Sequence, residues 1–496
     1  MDQRGARSRV KYFALMLMTV QWAFMSITAK GNDLESRLYR DHHLFLEEKI
    51  TQRRFKHHTI MEVLSRHKAN PALEIKKIGE SAEGRSINLV RIGDGQIKIL
   101  LWSQMHGDES TATMALMDIF NFFSANQNYA GIKEVLTSRL TLYFVPMLNP
   151  DGAERFQRRN AVGIDLNRDA LRLAFSESVI LKRLVDDLQP DFGFNLHDQD
   201  TLYSAGKSAK PATISFLAPP VDDRKSMSQG RLDAMRLIAL LNRRLQEVIP
   251  GQVARYSDDF EPRAFGDNVQ KWGVSTVLVE SGGYARDPEK QTIRKLNFVL
   301  LISAFHAIAN GDYEGQDEGE YDAIPKNEER LFHLLIREAM IAHAGKQYTV
   351  DIGINRKEID ASDHLSYHYR SFVGDVGDLS TFWGYEEIDA RGYVVVEGKT
   401  FEEAFNSVDD VDEKVVTQLL REGYTEIRVR QKPDAAYALL PVSVLHADRA
   451  KNNKIEKHNN PNFFLRKNNK NHYAIINGFI FDLVNNKNNV RNTLVN

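Results

Sequence analysis

His106 and Glu109 stand three residues apart, where an apolar run gives way to a helical pattern. An imidazole and a carboxylate on such a turn reach one cation from the same side, with N and O ligands at roughly 2.0–2.2 Å as in a zinc site. His197 ends a second short apolar run, Asp191–His197, and is a candidate third ligand. Asp198 follows it directly, placed to orient a ligand from behind. Glu280 ends the run that begins at Trp272, beside Ser281-Gly282-Gly283, and is a candidate general base. Arg158, Arg159, Asn167 and Arg168 share a polar loop whose guanidinium groups suit a carboxylate or another anion. Each feature taken singly also has a plain structural reading. His106 can cap a strand with Glu109 in a solvated first turn, His197 can be a core histidine, Glu280 a strand end, and the arginine loop a basic surface.

The elements that must position these residues are readable from hydropathy. Ile97–Trp102 is an apolar run suited to a strand buried on both faces, and STATMALMDIFNFF after Glu109 has the 3–4 spacing of a helix. Leu140–Leu148 is a second buried strand, stopped by the turn Asn149-Pro150-Asp151-Gly152. A helix over 177–188, the strand ending at His197, a strand in ATISFLAPP, an amphipathic helix in RLDAMRLIALLNRRLQEVI, the strand ending at Glu280 and a helix over 288–309 complete the series. Alternation of this kind predicts an α/β fold with a mixed, largely parallel sheet flanked by helices. Such sheets carry their sites at the carboxyl ends of strands, where His106, His197 and Glu280 all fall. Ahead of this region, ALEIKKIGESAEGRSINLVRIGDG reads as two strands around Ser81–Arg85. Leu34–Lys68 has helical spacing, with His42, His43, His57, His58 and His67 expected at the surface.

The 496 residues suffice for two or three domains. A formal charge of −2 gives no reason to expect nucleic acid as a partner, and the absence of cysteine leaves His, Asp and Glu as the available strong metal ligands. Arg4, Arg7, Arg9 and Lys11 precede the apolar stretch Tyr12–Ile27, and Ala29-Lys30-Gly31 resembles a cleavage site, so 1–31 reads as a secretory signal and the protein as exported. A cytoplasmic protein with an overlong start is the alternative. No stretch after the signal approaches the ~20 apolar residues of a membrane span. The expected catalytic domain is 32–311. An acidic linker and a helix over Asn327–Ala344 make up 312–345, and a β-rich accessory domain with an Asn/Lys-rich tail covers 346–496. His364 and His368, four apart, lack a third ligand in view.

Taken together, SAEGR at 81–85, HGDE at 106–109, NPDG at 149–152, R-x-N-x-x-G-x-D-x-N-R at 158–168, NLH at 195–197 and VLVES at 277–281 resemble the zinc metallocarboxypeptidase family. The type is carboxypeptidase A-like, in a bacterial form with an extra C-terminal domain. The ordered set spans about Ile75 to Gly283. The resemblance implies that His106, Glu109 and His197 bind one zinc ion and that Glu280 is the general base. It further implies that Arg158 polarises the scissile carbonyl and that Asn167 and Arg168 grip the substrate's terminal carboxylate. One departure stands out. The family's tyrosine that closes over that carboxylate has no counterpart in RYSDDFEPRAFGDN, where Tyr256 sits several residues early and Asp258, Asp259, Arg263 and Asp267 occupy the loop. A peptide substrate follows from the resemblance. A deacylase or amidase acting on N-acyl amino acids, and a non-catalytic binding protein on the same fold, are the alternatives.

Overall fold

A computed structural model describes residues 34–125, 127–431, 433–446 and 454–495; the expected signal segment lies outside the described residues. Strands β1 (Glu74–Glu80), β2 (Ser86–Ile92), β3 (Ile97–Ser103), β4 (Leu140–Val145), β5 (Phe192–Asp198), β6 (Tyr203–Ala205), β7 (Ile214–Leu217), β8 (Val253–Arg255) and β9 (Ser275–Ser281) occur in chain order. All but β6 form one sheet, ordered β1-β2-β4-β3-β5-β9-β7-β8. The central strands β4, β3, β5 and β9 run parallel, whereas β1–β2, β2–β4 and β7–β9 are antiparallel pairs and β8 runs parallel to β7. The sheet is therefore mixed, with a parallel centre whose carboxyl ends share one edge.

That centre is buried because its strands are apolar on both faces. Ile99, Leu100, Leu101 and Trp102 of β3 have no solvent exposure, and helices Thr111–Ser124 and Gln291–Asn310 supply much of the packing. Burial of each such side chain contributes about 1.5–3 kcal/mol. Among the described residues, Gln291–Asn310 is a helix long and apolar enough to cross a membrane, against the sequence expectation of none, yet it lies mostly within this core. Two further expectations are corrected here. His42 and His67 are buried, His42 against Asp118 and His67 against Ser124, because the helical N-terminal segment packs onto the core. The acidic stretch after Asn310 is no free linker: helix Glu318–Asp322 buries Tyr321, whose hydroxyl accepts from Ala218 N–H.

The chain divides into two compact units, the first comprising residues up to Gln199 and Thr213–Lys326, the second Asp200–Ala212 and Asn327–Asn496. In the second unit, β6 pairs with β10 (Asn327–Glu329). β11 (Leu331–His343), β12 (Lys346–Asp360) and β13 (Tyr367–Gly377) form an antiparallel meander within a nine-stranded sheet. The strands Asn462–Lys467, Lys470–Ile476 and Phe479–Asp482 belong to that sheet, and helix Glu413–Glu422 packs beside a smaller parallel one. The second unit is β-rich, as expected, but Asn327–Ala344 is not the predicted helix. β11 is largely buried on both faces from Leu331 to Ile336, and a register shift between Ile336 and Ala339, with Glu338 at φ 53°, breaks its alternation. That bulge produces the 3–4 apolar spacing that reads as helical. His364 lies in a turn and His368 in β13, stacked on Tyr437.

Candidate metal centre

Three of the four parallel strands end on a candidate residue or just short of one. β3 stops at Ser103, and Gln104 takes a left-handed conformation (φ 46°), a strained geometry for a side chain other than glycine or asparagine. The Gln104 side-chain Nε2 donates to Gly107 O (2.8 Å) and the Gln104 backbone carbonyl accepts from Asn149 N–H (2.9 Å), so the turn carrying His106 is fastened to the chain leaving β4. Gly107 has to be glycine, since a Cβ there would lie 2.0 Å from the Gly152 carbonyl carbon. HGDE and NPDG thus meet backbone to backbone. Asp151, fully buried, accepts from Ser81 Oγ (2.7 Å), Glu83 N–H (3.0 Å) and Arg85 Nη1 (2.7 Å), which explains the SAEGR turn as an anchor for the same corner.

His106 Nδ1 lies 2.7 Å from Glu109 Oε1, and His197 Nδ1 lies 2.6 Å from Glu109 Oε2. One ligand atom from each of the three residues falls within 4.8 Å of the others, and all three side chains are buried. Two imidazole nitrogens and a carboxylate on one point form a donor set that fits a single divalent cation such as zinc. The set is also poised electrostatically. Burial opposes ionisation of Glu109, but His106 and His197 outweigh it and hold the carboxyl well below its usual range. Burial likewise opposes protonation of His106, yet the Glu109 and Asp165 carboxylates prevail and lift it to about 9. Burial alone suffices to lower His197, whose Nε2 has no protein partner.

Arg158 and Glu280 border this group. Arg158 Nη1 donates to Glu109 Oε1 (3.1 Å) and lies 3.0 Å from His106 Nδ1, while its side chain keeps 43% exposure. Glu280 stands opposite His197 in the β5–β9 register. It is buried, and burial, then the Glu109 and Asp198 charges, push its carboxyl well above the usual range. Asn167 and Arg168 occupy a single 3₁₀ turn, Leu166–Arg168, capped by Asp165. Asn167 Oδ1 accepts from Phe265 N–H (2.8 Å), which leaves its amide NH₂ as the donor end. Arg168 faces Glu261, with Nε 3.4 Å from Oε2.

The structure thus gathers His106, Glu109, His197 and Arg158 in direct contact, sets Glu280 beside His197, and joins Asn167 and Arg168 through Asp165. Asp165 is the residue that sequence reasoning left unassigned. Its carboxylate lies 3.1 Å from His106 Nε2 and accepts from Arg158 Nε (3.1 Å) and Asn167 N–H (2.9 Å). In the sequence it stands only as the aspartate inside G-x-D-x-N-R. Asp198 meets the candidate ligands through its backbone, whose N–H donates to Glu109 Oε2 (3.3 Å), while its carboxylate accepts from Thr111 Oγ1 (2.6 Å) and Lys290 Nζ (3.1 Å).

Comparison with known proteins covers part of this region. Residues 60–191 match the family model described as zinc carboxypeptidase, a segment that includes His106, Glu109, Arg158, Asn167 and Arg168 and ends before His197. Carboxypeptidase 2 of Trichophyton rubrum is 29% identical over 116 residues, 23% of this chain and 20% of that protein. Carboxypeptidase SOL1 of Arabidopsis thaliana is 31% identical over 98 residues, 18% of this chain and 20% of its own length. The chain spans about a fifth of the length of the curated relatives it matches. A metallo-carboxypeptidase structure from Burkholderia cenocepacia aligns with a TM-score of 0.42 and 16% identity, over 52% of this chain and 70% of that one.

Proposed function

We propose, taking the zinc carboxypeptidase match over residues 60–191 as premise, that this protein is a zinc-dependent exopeptidase that hydrolyses the C-terminal peptide bond of its substrate. The observation that carries the reading is the convergence of His106, Glu109 and His197 beside a buried carboxyl, Glu280, whose proton affinity is raised. His106, Glu109 and His197 hold the ion, and two imidazoles with one carboxylate leave an open position of the kind a catalytic zinc keeps. When bound, zinc supplies Lewis acidity toward water and the substrate carbonyl. Glu280 accepts a proton from water at a carboxylate oxygen and delivers it to the leaving amine nitrogen, a role its raised proton affinity suits. Arg158, partly exposed and reaching over Glu109, donates to the carbonyl oxygen as negative charge grows there. Asn167 Nδ2 and the Arg168 guanidinium receive the terminal carboxylate, which restricts cleavage to the chain end.

The test is metal analysis of the purified protein together with hydrolysis of blocked dipeptides and of N-acyl amino acids. One zinc per chain and cleavage of the dipeptides support the peptidase. Preference for the N-acyl amino acids makes it a deacylase, and zinc without cleavage of either leaves a binding protein. Glu280→Gln is expected to keep zinc and lose about 10²–10⁴-fold in turnover; full activity in that variant would falsify the general-base assignment. Export is part of the same proposal, resting on the basic and apolar order of residues 4–27. N-terminal sequencing of the mature protein that finds residue 1 or 2 in a cytoplasmic fraction overturns it.

A further inference from the structure

Arg168, which the proposed function assigns to the substrate's terminal carboxylate, already faces a carboxylate from its own chain. Glu261 Oε2 stands 3.4 Å from Arg168 Nε, while Arg168 Nη1 donates to Asn167 O (2.6 Å). Glu261 comes from the segment where a closing tyrosine was sought and not found. Arg263 grips it from the other side, with Nε 2.9 Å from Oε1, Nη2 2.8 Å from Oε2, and its own N–H donating to Oε1 (3.1 Å).

The juxtaposition is built into the backbone. Phe265 N–H donates to Asn167 Oδ1, Ala170 N–H donates to Arg263 O (3.1 Å), and Asn268 Nδ2 donates to Pro262 O (2.8 Å). The first two bonds tie the 261–265 segment to the Asn167–Ala170 turn beside the Arg168–Glu261 pair, and the third braces that segment against the helix that follows it. Hydrogen bonding from Arg263, and then the nearby positive charges, hold the Glu261 carboxyl down at about 2, so it is anionic at any working pH. Arg168 and Glu261 are 38% and 29% exposed, within reach of a solute.

We propose that Glu261 is a specificity-determining residue, a tethered carboxylate that competes with the substrate's terminal carboxylate for Arg168. Binding transfers Glu261 wholly to Arg263, whose two-point grip can retain it, and frees the Arg168 guanidinium for the substrate. The cost falls on binding and not on the chemical step, so it appears in KM and leaves kcat alone. It also applies only to substrates that bring a carboxylate.

The inference rests on Arg168 as the carboxylate receptor, so three variants of the full-length, zinc-loaded protein separate the two ideas. KM and kcat are measured on blocked dipeptides with a free terminal carboxylate and on the corresponding C-terminal amides. Glu261→Gln is expected to lower KM for the free acids by about two- to fivefold, the range open to a solvent-accessible ion pair, with kcat and the amides unmoved. Arg263→Gln removes the alternative partner and is expected to raise KM for the free acids. A merely structural role for Glu261 in holding its loop predicts that both variants raise KM, and that result overturns the proposal, as does an unchanged KM in Glu261→Gln. If Arg168→Met leaves the KM of the free acids unchanged, the receptor assignment fails and the competition with it. If Arg168→Met raises that KM tenfold while Glu261→Gln does nothing, the competition alone is refuted.

Discussion

Two buried clusters of the first unit use the same side-chain types, an imidazole, a carboxylate and a guanidinium, to opposite ends. At one, Asp118 accepts from Arg294 Nε (2.7 Å) and Glu47 N–H (2.7 Å) and meets His42 Nε2 at 2.8 Å. Arg294 spends its remaining donors on Ile50 O, Gln291 Oε1 and Glu47 O, and both charged groups have no exposure. Charge and hydrogen bonding close on themselves. At the other, Asp108 and Glu280 feel the Glu109 charge, Glu280 that of Asp198 as well, and Asp165 faces His106 and Arg158, with Lys290 answering Asp198. Burial, then Glu109, lifts Asp108 to about 6, and buried oxygens of Asp108 and Asp198 have no hydrogen-bond partner. The first cluster joins the N-terminal segment to the helices Thr111–Ser124 and Gln291–Asn310. The second holds an excess of anionic groups around two converging imidazoles, which is a site prepared for a cation.

The widest separation between the clusters is expected on removing a ligand. His197→Ala loses bound zinc and brings turnover to background. Added zinc at one hundred times its Kd stabilises the wild-type protein by about 2.7 kcal/mol, seen as a raised Tm, and leaves the variant unmoved. A zinc-dependent rise in Tm that persists in His197→Ala sinks the ligand assignment. The Asp118 cluster shows the reverse. Arg294→Met leaves Asp118 buried without its cation and is expected to cost about 3–5 kcal/mol in denaturant unfolding. The zinc content per folded molecule stays the same. Pairing it with Asp118→Leu should recover much of that loss, since an apolar pair of similar volume replaces an ion pair with little penalty. A double variant no more stable than Arg294→Met counts against this account.

How far each cluster was legible follows from how local its signal is. The convergence of His106, His197 and Glu280 was readable because each lies at or just past the end of an apolar run, and a parallel sheet brings such ends to one edge. The β5–β9 register that sets His197 opposite Glu280 follows from runs of equal phase. Asp118 and Arg294 gave no such signal. They are an acidic and a basic position on largely apolar helices, 176 positions apart, and nothing local says that they meet. His42 was misread as a surface residue for the same reason, since its partner Asp118 is remote in the chain. In the second unit, the bulge near Glu338 shifted the phase of β11 and produced a helical pattern, a case of cross-strand packing overriding local spacing. Asp165 falls between these cases: its motif was visible, but its bond to His106 depends on the path of the loop.

Asp165 lies against the candidate cation site while resembling the closed cluster in its bonding, since His106, Arg158 and Asn167 all address it. Asp165→Asn tests which side it falls on. If it orients His106, zinc affinity falls about 10–100-fold, and saturating zinc restores most of kcat. A loss of thermal stability with zinc affinity intact would place it with Asp118 as a structural pair.

The smallest effect expected comes from Asp267, and it sharpens the contrast because the same substitution, Asp→Asn, should act with opposite sign at the two places. Asp118 is matched by a guanidinium, so Asp118→Asn destabilises at neutral pH. Asp267, in the first turn of helix Phe265–Lys271, forms no ion pair among the described residues; its Oδ1 accepts a long bond from Glu261 N–H (3.4 Å). Burial, reinforced by the Glu261 charge, pushes its carboxyl from the ordinary 3.8 up to about 7, against the helix dipole that would favour the anion. An acid whose folded pKa is raised holds its proton in the native state over a window where the unfolded chain has released it. Its favourable contribution is therefore complete below pH 3.8 and is lost as pH rises toward about 7. The slope is at most about 1.4 kcal/mol per pH unit. Asp267→Asn keeps the accepting oxygen and cannot ionise, so the difference in unfolding free energy between variant and wild type should grow in the variant's favour across that window and level off above it. Denaturant midpoints taken from pH 5 to pH 8 measure this difference with other titrating groups common to both proteins. A difference that is flat with pH would mean that Asp267 ionises as easily folded as unfolded, and that its burial carries no electrostatic cost.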